Sequence, residues 1–279
     1  MPEEDAVFAV KRDVRGRVAE NVPAGRGFFR MRLLAPELAG AFRPGQFFQL
    51  RPRPVREAPF LRRPFAPSSH EPDGFSFFYA VVGKGTRLLA ELPAGTAVDI
   101  LAPLGNAYSR PPAGGAALLI GGGAGAPGLV PLAEQLRSGG VRTILALGAR
   151  TAEAIPRHPG FASVPDRLLV ATDDGGRGFR GTVLAAIRDD RDNLLRQAPR
   201  LYACGPVPML AAAAELAAER GLACEVSLEE RMACGFGACL GCVAPILDAG
   251  GGNSLRRICR DGPVFDASRV DWGALAARR

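Results

Sequence analysis

A chain of 279 residues can bury a sizeable core and has the length of two or three modules rather than one. Its net charge of +7 comes almost wholly from arginine, Lys11 and Lys84 being the only lysines, and the arginines are scattered with few aromatics between them, which excludes a nucleic-acid signature. Acidic Met1-Pro-Glu-Glu-Asp lacks the basic and apolar regions of a signal peptide, and no apolar run reaches about 18 residues, so a cytoplasmic protein without a membrane partner is expected.

Residues 1–112 carry short alternating stretches broken by Gly and Pro: Val7-Phe-Ala-Val, Phe28-Phe-Arg-Met-Arg-Leu, Gln46-Phe-Phe-Gln-Leu and Phe75-Ser-Phe-Phe-Tyr-Ala-Val-Val. Many short strands with regular turn signals predict an antiparallel β-barrel, with helical periodicity confined to Thr86–Leu92. Pro111-Pro-Ala-Gly-Gly115 then punctuates the chain like a linker.

In residues 113–220 the pattern changes to strands alternating with helices. Ala116–Ile120, Thr143–Leu147, Arg167–Thr172 and Arg200–Cys204 read as buried strands, and Leu129–Leu136 and Met209–Arg220 as helices, the last ended by Gly221. Such alternation predicts a doubly wound α/β domain around a parallel sheet. The remainder, 221–279, is a small cysteine-bearing domain.

That domain holds Cys234-x4-Cys239-x2-Cys242-x16-Cys259. A 2Fe-2S cluster needs four thiolates converging on two irons, and this spacing is the plant-type ferredoxin pattern. Zinc usually takes matching knuckles at both ends of its motif, and here there is no second one. Gly235, Phe236, Gly237, Ala238, Leu240 and Gly241 are small or apolar, as suits backbone that wraps tightly and aims N–H groups at sulfur.

Other motifs admit two readings. Gly121-Gly122-Gly123-Ala124-Gly125-Ala-Pro127 lies between an apolar strand and a helix, where backbone can receive a pyrophosphate or simply turn. Arg62-Arg63 and Gly83-Lys-Gly85-Thr86 can hold phosphates through a guanidinium fork, turn N–H groups and a hydroxyl; alternatively they are surface charges and a hairpin turn. Asp173 and Asp174 follow a strand and can accept from a ribose or serve an ordinary turn. Cys204-Gly205-Pro206 offers a flat ring an unobstructed approach, or a core thiol. His70 and His158 sit in proline-containing loops and read as surface residues.

The order of parts resembles the ferredoxin-NADP reductase superfamily and, within it, the electron-transfer subunits of type B dihydroorotate dehydrogenases. The resemblance rests on Tyr79–Thr86, Ala102-Pro-Leu-Gly-Asn106, Thr172-Asp-Asp-Gly, Ala203-Cys-Gly-Pro-Val-Pro-Met209 and above all Arg231–Cys242 with Cys259–Phe265. It implies FAD on the barrel at Arg63, Pro64, Phe65, Ala66, Phe78, Tyr79, Ala80, Gly85 and Thr86. NAD is implied as an exchangeable substrate near Gly121–Gly123, Gly125, Asp173 and Cys204–Pro206, and a 2Fe-2S cluster on Cys234, Cys239, Cys242 and Cys259. Ala66 and Ala80 depart from the family's usual hydroxyl and basic residues, which leaves phosphate binding to Arg63, Ser68 or backbone N–H groups. Arg150 after the second sheet strand can meet a 2'-phosphate, yet the resemblance favours NAD. Residues Gly250–Asn253 read as an insertion at a hairpin tip.

A nicotinamide moves two electrons together, a 2Fe-2S cluster one at a time, and a flavin between them does both. The resemblance therefore implies an electron converter running from an FMN-containing dihydroorotate dehydrogenase catalytic subunit, through the cluster and FAD, to NAD+, in a heterotetramer. No side chain here need act as the proton-transfer base. The nearest alternatives are a subunit of an NADH-dependent ferredoxin:NADP+ reductase or of a sulfhydrogenase. A zinc-bound, non-catalytic regulator is an alternative of a different class.

Overall fold

The computed structural model describes residues 10–52, 61–111, 115–189, 195, 200–248 and 252–278. The strand expected at Val7–Val10, most of the linker at Pro111–Gly115 and part of the insertion at Gly250–Asn253 lie outside them.

Strands β1 (Arg12–Pro23), β2 (Phe28–Leu34), β3 (Phe47–Pro52), β4 (Arg63–Phe65), β5 (Pro67–Glu71), β6 (Gly74–Ala80) and β7 (Ala97–Leu104) form one sheet, ordered β4-β3-β7-β1-β2-β6-β5. Every pairing in it is antiparallel. β4 and β5 occupy opposite edges yet are joined at Ala66, so the sheet must curl until its ends meet. The Phe65 ring spans the closure, 4.8 Å from Phe77 and 5.8 Å from Tyr79 on β6. The period of two along β3 sends Phe48 and Leu50 into the barrel core and Phe47 and Gln49 to its outer face.

Helix α1 (Lys84–Ala90) starts two residues before the expected Thr86. The Thr86 hydroxyl oxygen accepts from the backbone N–H groups of Val82 at 2.9 Å and Gly83 at 3.1 Å, which supplies the missing cap. Gly83–Thr86 is therefore a helix start, not a hairpin turn.

A second sheet contains β8 (Ala116–Gly122), β9 (Arg142–Ala149), β10 (Arg167–Thr172), β11 (Phe179–Arg180), β12 (Arg200–Cys204), β13 (Ala223–Ser227) and β16 (Val264–Asp266). Its order is β11-β10-β9-β8-β12-β13-β16, parallel except at the last pair. Leu118 and Ile120 of β8 pack with α4 (Val183–Asp189) and α5 (Val207–Arg220), while Ala117 and Leu119 pack on the other face with α2 (Val130–Ser138) and α3 (Gly160–Ser163). Burial on both faces explains the unbroken apolar run. Gly221 ends α5 in the left-handed region at φ +64°, as its sequence position requires.

β13 and β16 lie beyond residue 220, so the division expected at 220–221 falls inside this sheet. The reason is alternation in Ala223–Ser227, whose Cys224 and Val226 are buried against β12 and α5. What stands outside the sheet is the cysteine loop, the hairpin β14 (Val243–Leu247) and β15 (Asn253–Arg257), and the short helices α6 (Ile258–Asp261) and α7 (Trp272–Ala277). Among the described residues no helix is long and apolar enough to cross a membrane.

Candidate functional site

On the barrel, the expected residues converge only in part. Arg63 leans over Gly85: a β-carbon built there would lie 2.3 Å from the Arg63 Nε atom. This contact joins β4 to α1 and needs a glycine. Among the described residues Arg63 has no carboxylate partner; its bond goes to the Leu61 carbonyl, and burial lowers its pKa. A partly desolvated guanidinium without an acid is a fitting place for a phosphate. Arg62, by contrast, is held by both carboxylate oxygens of Asp13 at 2.8 Å.

Three other barrel residues are placed differently from the expectation. Ser68 is wholly buried and its hydroxyl donates to the Ser76 carbonyl at 3.2 Å, so it has no hydroxyl to offer a phosphate. Tyr79 points inward, 1% exposed, with its hydroxyl donating to Asn21 at 2.9 Å, because alternation along β6 puts Phe78 and Ala80 on the other face. The Thr86 hydroxyl is engaged in the cap described above. Pro64 and Ala66 flank Phe65 at the closure, and Ala66 faces Gly128, whose β-carbon would come within 3.3 Å of its own.

His158 is not a surface residue. Its ring lies 4.8 Å from Phe78 and 5.3 Å from Phe161, Nδ1 accepts from the Gly160 N–H at 2.9 Å, and the ring also bonds the Ser68 backbone. It thus wedges the parallel-sheet domain against the barrel. Burial lowers its pKa to about 4. The unfolded chain, with an ordinary imidazole near pH 6.5, binds more protons between these values. Stability should therefore fall as pH drops from about 6.5 to 4, by up to roughly 3 kcal/mol from this group. A melting curve taken against pH should show that slope, and His158→Gln should flatten it.

The parallel sheet places its motifs at one crevice. The chain runs from β8 outward to β10 and returns at β12, so β8 and β12 flank the switch point where ligands bind off carboxyl ends. Cys204 stands in register with Gly121. A β-carbon on Gly125 would lie 2.7 Å from the Cys204 Sγ, and one on Gly122 would lie 2.9 Å from Pro206. Gly123, at φ +52°, opens to solvent. Cys204 is 8% exposed and burial raises its pKa well above the ordinary range, so it serves by shape and not as a nucleophile. Asp173 is exposed at the end of β10, its N–H bound to Ala149, while Asp174 caps the turn by accepting from Gly176. Gly125→Ala should overpack this crevice, costing about 1–3 kcal/mol in urea unfolding and weakening nicotinamide binding measured on the same protein.

The cysteine loop sits on the outer face of β3. Phe47 packs with Leu104, Cys242 and Cys259, the two thiols being 2% and 1% exposed, whereas Cys234 is half-buried and Cys239 exposed. The Cys239 backbone N–H donates to the Cys234 Sγ at 3.5 Å, and Cys242 and Cys259 share the apolar cluster beneath the loop. Among the described residues no three ligand side chains gather as one mononuclear ion requires. Burial alone would raise the Cys234 thiol, but backbone N–H groups of Cys239, Phe236 and Ala238 aimed at it bring its pKa down to about 6. A chain that stabilises a thiolate this way fits an iron–sulfur cluster. Gly235 and Gly237, at φ +79° and +96°, permit the wrapping.

Asn106 joins these parts. Its side chain donates to the Val264 carbonyl at 2.8 Å and accepts from the Val264 N–H at 2.9 Å, fastening β16 to the barrel's exit. The sequence gives Asn106 no sign of this role, and the one signal at Gln49 is a polar residue inside an apolar strand.

A barrel closed at Arg63–Ala66, a switch-point crevice lined by glycine, and a four-cysteine loop between them place the molecule among reductases of the ferredoxin-NADP reductase type that carry an iron–sulfur centre. The model for the iron-sulfur cluster binding domain of dihydroorotate dehydrogenase B matches residues 229–271. The dihydroorotate dehydrogenase B (NAD(+)) electron transfer subunit of Bacillus caldolyticus is 41% identical over 231 residues, covering 81% of this chain and 86% of its own. That of Desulforamulus reducens is 37% identical over 248 residues, covering 88% and 92%. Among solved structures, an NADH-dependent reduced ferredoxin-NADP oxidoreductase, described for flavin-based electron bifurcation, aligns at TM-score 0.81 and 31% identity, covering 94% of this chain and 92% of its own. The chain belongs to the family of dihydroorotate dehydrogenase B electron transfer subunits.

Proposed function

We propose that this chain carries electrons between a dihydroorotate-oxidising catalytic subunit and NAD+, with its own redox groups being FAD and a 2Fe-2S cluster. One observation carries the reading: β3 pairs with the Arg63 strand on its edge and seats the buried thiols on its outer face, so flavin strand and cysteine loop share one support. FAD converts a nicotinamide's paired electrons into the single electrons that a cluster accepts. Arg63 and the Gly85 backbone hold its phosphates, the crevice from Gly121 to Gly125 with Cys204–Pro206 admits the nicotinamide, and Cys234, Cys239, Cys242 and Cys259 ligate the irons. Asp173 is placed to accept from a ribose.

The partner is an FMN-containing dehydrogenase subunit and the assembly a heterotetramer. Co-purification with such a subunit should yield NAD+-coupled oxidation of dihydroorotate and a visible spectrum of flavin bands over a broad iron–sulfur envelope. A colourless, zinc-loaded protein would overturn the reading. The fit to the NADH-dependent ferredoxin-NADP oxidoreductase favours a second reading, a reductase subunit for ferredoxin; purified chain that couples NADH to ferredoxin but not to dihydroorotate would establish it. NADH should reduce the flavin faster than NADPH.

A further inference from the structure

The Gln49 side chain is completely buried, and neither its Nε2 nor its Oε1 has a hydrogen-bond partner among the described residues. Leaving a buried amide unsatisfied is costly, so native proteins seldom do it without a use. The group is aimed at the cysteine loop. A β-carbon built on Gly235 would lie 2.5 Å from the Gln49 Cδ, 2.6 Å from Nε2 and 2.8 Å from Oε1. Gly235 adjoins Cys234, and its φ of +79° brings bare backbone against the amide. Gln49 also pairs with Pro64 of the flavin strand across β3–β4. Gln46, three residues earlier, shows the contrast: it donates to the Gly105 carbonyl and accepts from the Arg43 N–H.

We infer that Gln49 is a positioning residue for the cluster, its Nε2–H donating to sulfur on the Cys234 side of the loop. The inference rests on the iron–sulfur reading of that loop. Cysteine and sulfide sulfurs in such a centre only accept, so a carboxamide beside them turns its N–H end inward. Hydrogen bonds to sulfur stabilise the more negative, reduced state and raise the potential.

The test uses the holoprotein made by cell-free synthesis with glutamine labelled with 15N at the side-chain amide, the cluster reduced and examined by pulsed electron paramagnetic resonance. The cluster's own signal tests the iron–sulfur reading, and an 15N hyperfine coupling on it tests this proposal. A coupling is expected in the wild type and should vanish in Gln49→Leu. A cluster signal without 15N coupling, or a coupling found on the flavin radical instead, would overturn the assignment. In a redox titration, Gln49→Leu should lower the reduced-to-oxidised ratio of the cluster at fixed potential about tenfold, which is about 59 mV for one electron; an unchanged ratio would also overturn it. Should that variant fail to fold, the wild-type coupling decides alone.

Discussion

Cys239→Ser is expected to reduce electron delivery to the partner subunit to background while NADH still bleaches the flavin at close to the wild-type rate. Cys239 is exposed, so its replacement would remove a proposed iron ligand without opening the core. Hydride arrival at the switch-point crevice involves none of the loop's residues. Stopped-flow reduction by NADH and turnover with the partner, measured on one preparation, separate the two steps. If both fall together, the loop is needed for folding. Cys259→Ser offers the contrast, because this thiol is 1% exposed beside Phe47 and Leu104. A hydroxyl there is both a lost ligand and an unsatisfied buried group, which costs about 1–3 kcal/mol. Its melting temperature should drop by several degrees more than that of Cys239→Ser.

Gly85→Ala is expected to strip the protein of flavin while leaving its fold nearly intact. The added methyl would meet the Arg63 guanidinium, the far end of a flexible side chain that can swing away. What is lost is the position of that guanidinium. A charge-assisted hydrogen bond contributes about 1.5–3 kcal/mol, so FAD affinity should fall by roughly ten- to a hundredfold, and Arg63→Leu should do the same. Flavin retained on gel filtration, with binding followed by fluorescence, gives the measurement. Full retention in both variants would shift phosphate binding to backbone elsewhere. A large drop in melting temperature of flavin-free Gly85→Ala would instead mark the glycine as structural.

Much of this was legible before any coordinates. The spacing within Cys234–Cys242 is a local pattern that survives in the sequence, and the family model for an iron-sulfur cluster binding domain covers it. The apolar run of β8 and the glycine after it likewise follow from local rules, burial on both faces and a turn that cannot carry a β-carbon. Contacts between segments distant in the chain were not legible. Nothing in the residue pattern says that Asp13 takes up Arg62, 49 residues away, and even within the β5–β6 hairpin nothing says that the Ser68 hydroxyl turns to the Ser76 carbonyl. His158 looked like a loop residue because its loop is proline-rich, yet that loop packs against β6 of another domain. The inward side chain of Tyr79 has a different reason: strand alternation was available in the sequence, but the resemblance named three consecutive residues where alternation lets only two share a face.

The pair of hydrogen bonds between Asn106 and Val264 has a dynamic meaning. Val264 begins the antiparallel strand that edges the second sheet, and Asn106 stands where the barrel chain exits, with four residues between Cys259 and Val264. The segment is thus tied to both domains at once. Displacing the nicotinamide domain relative to the barrel would have to break these two hydrogen bonds or carry the cysteine segment with it.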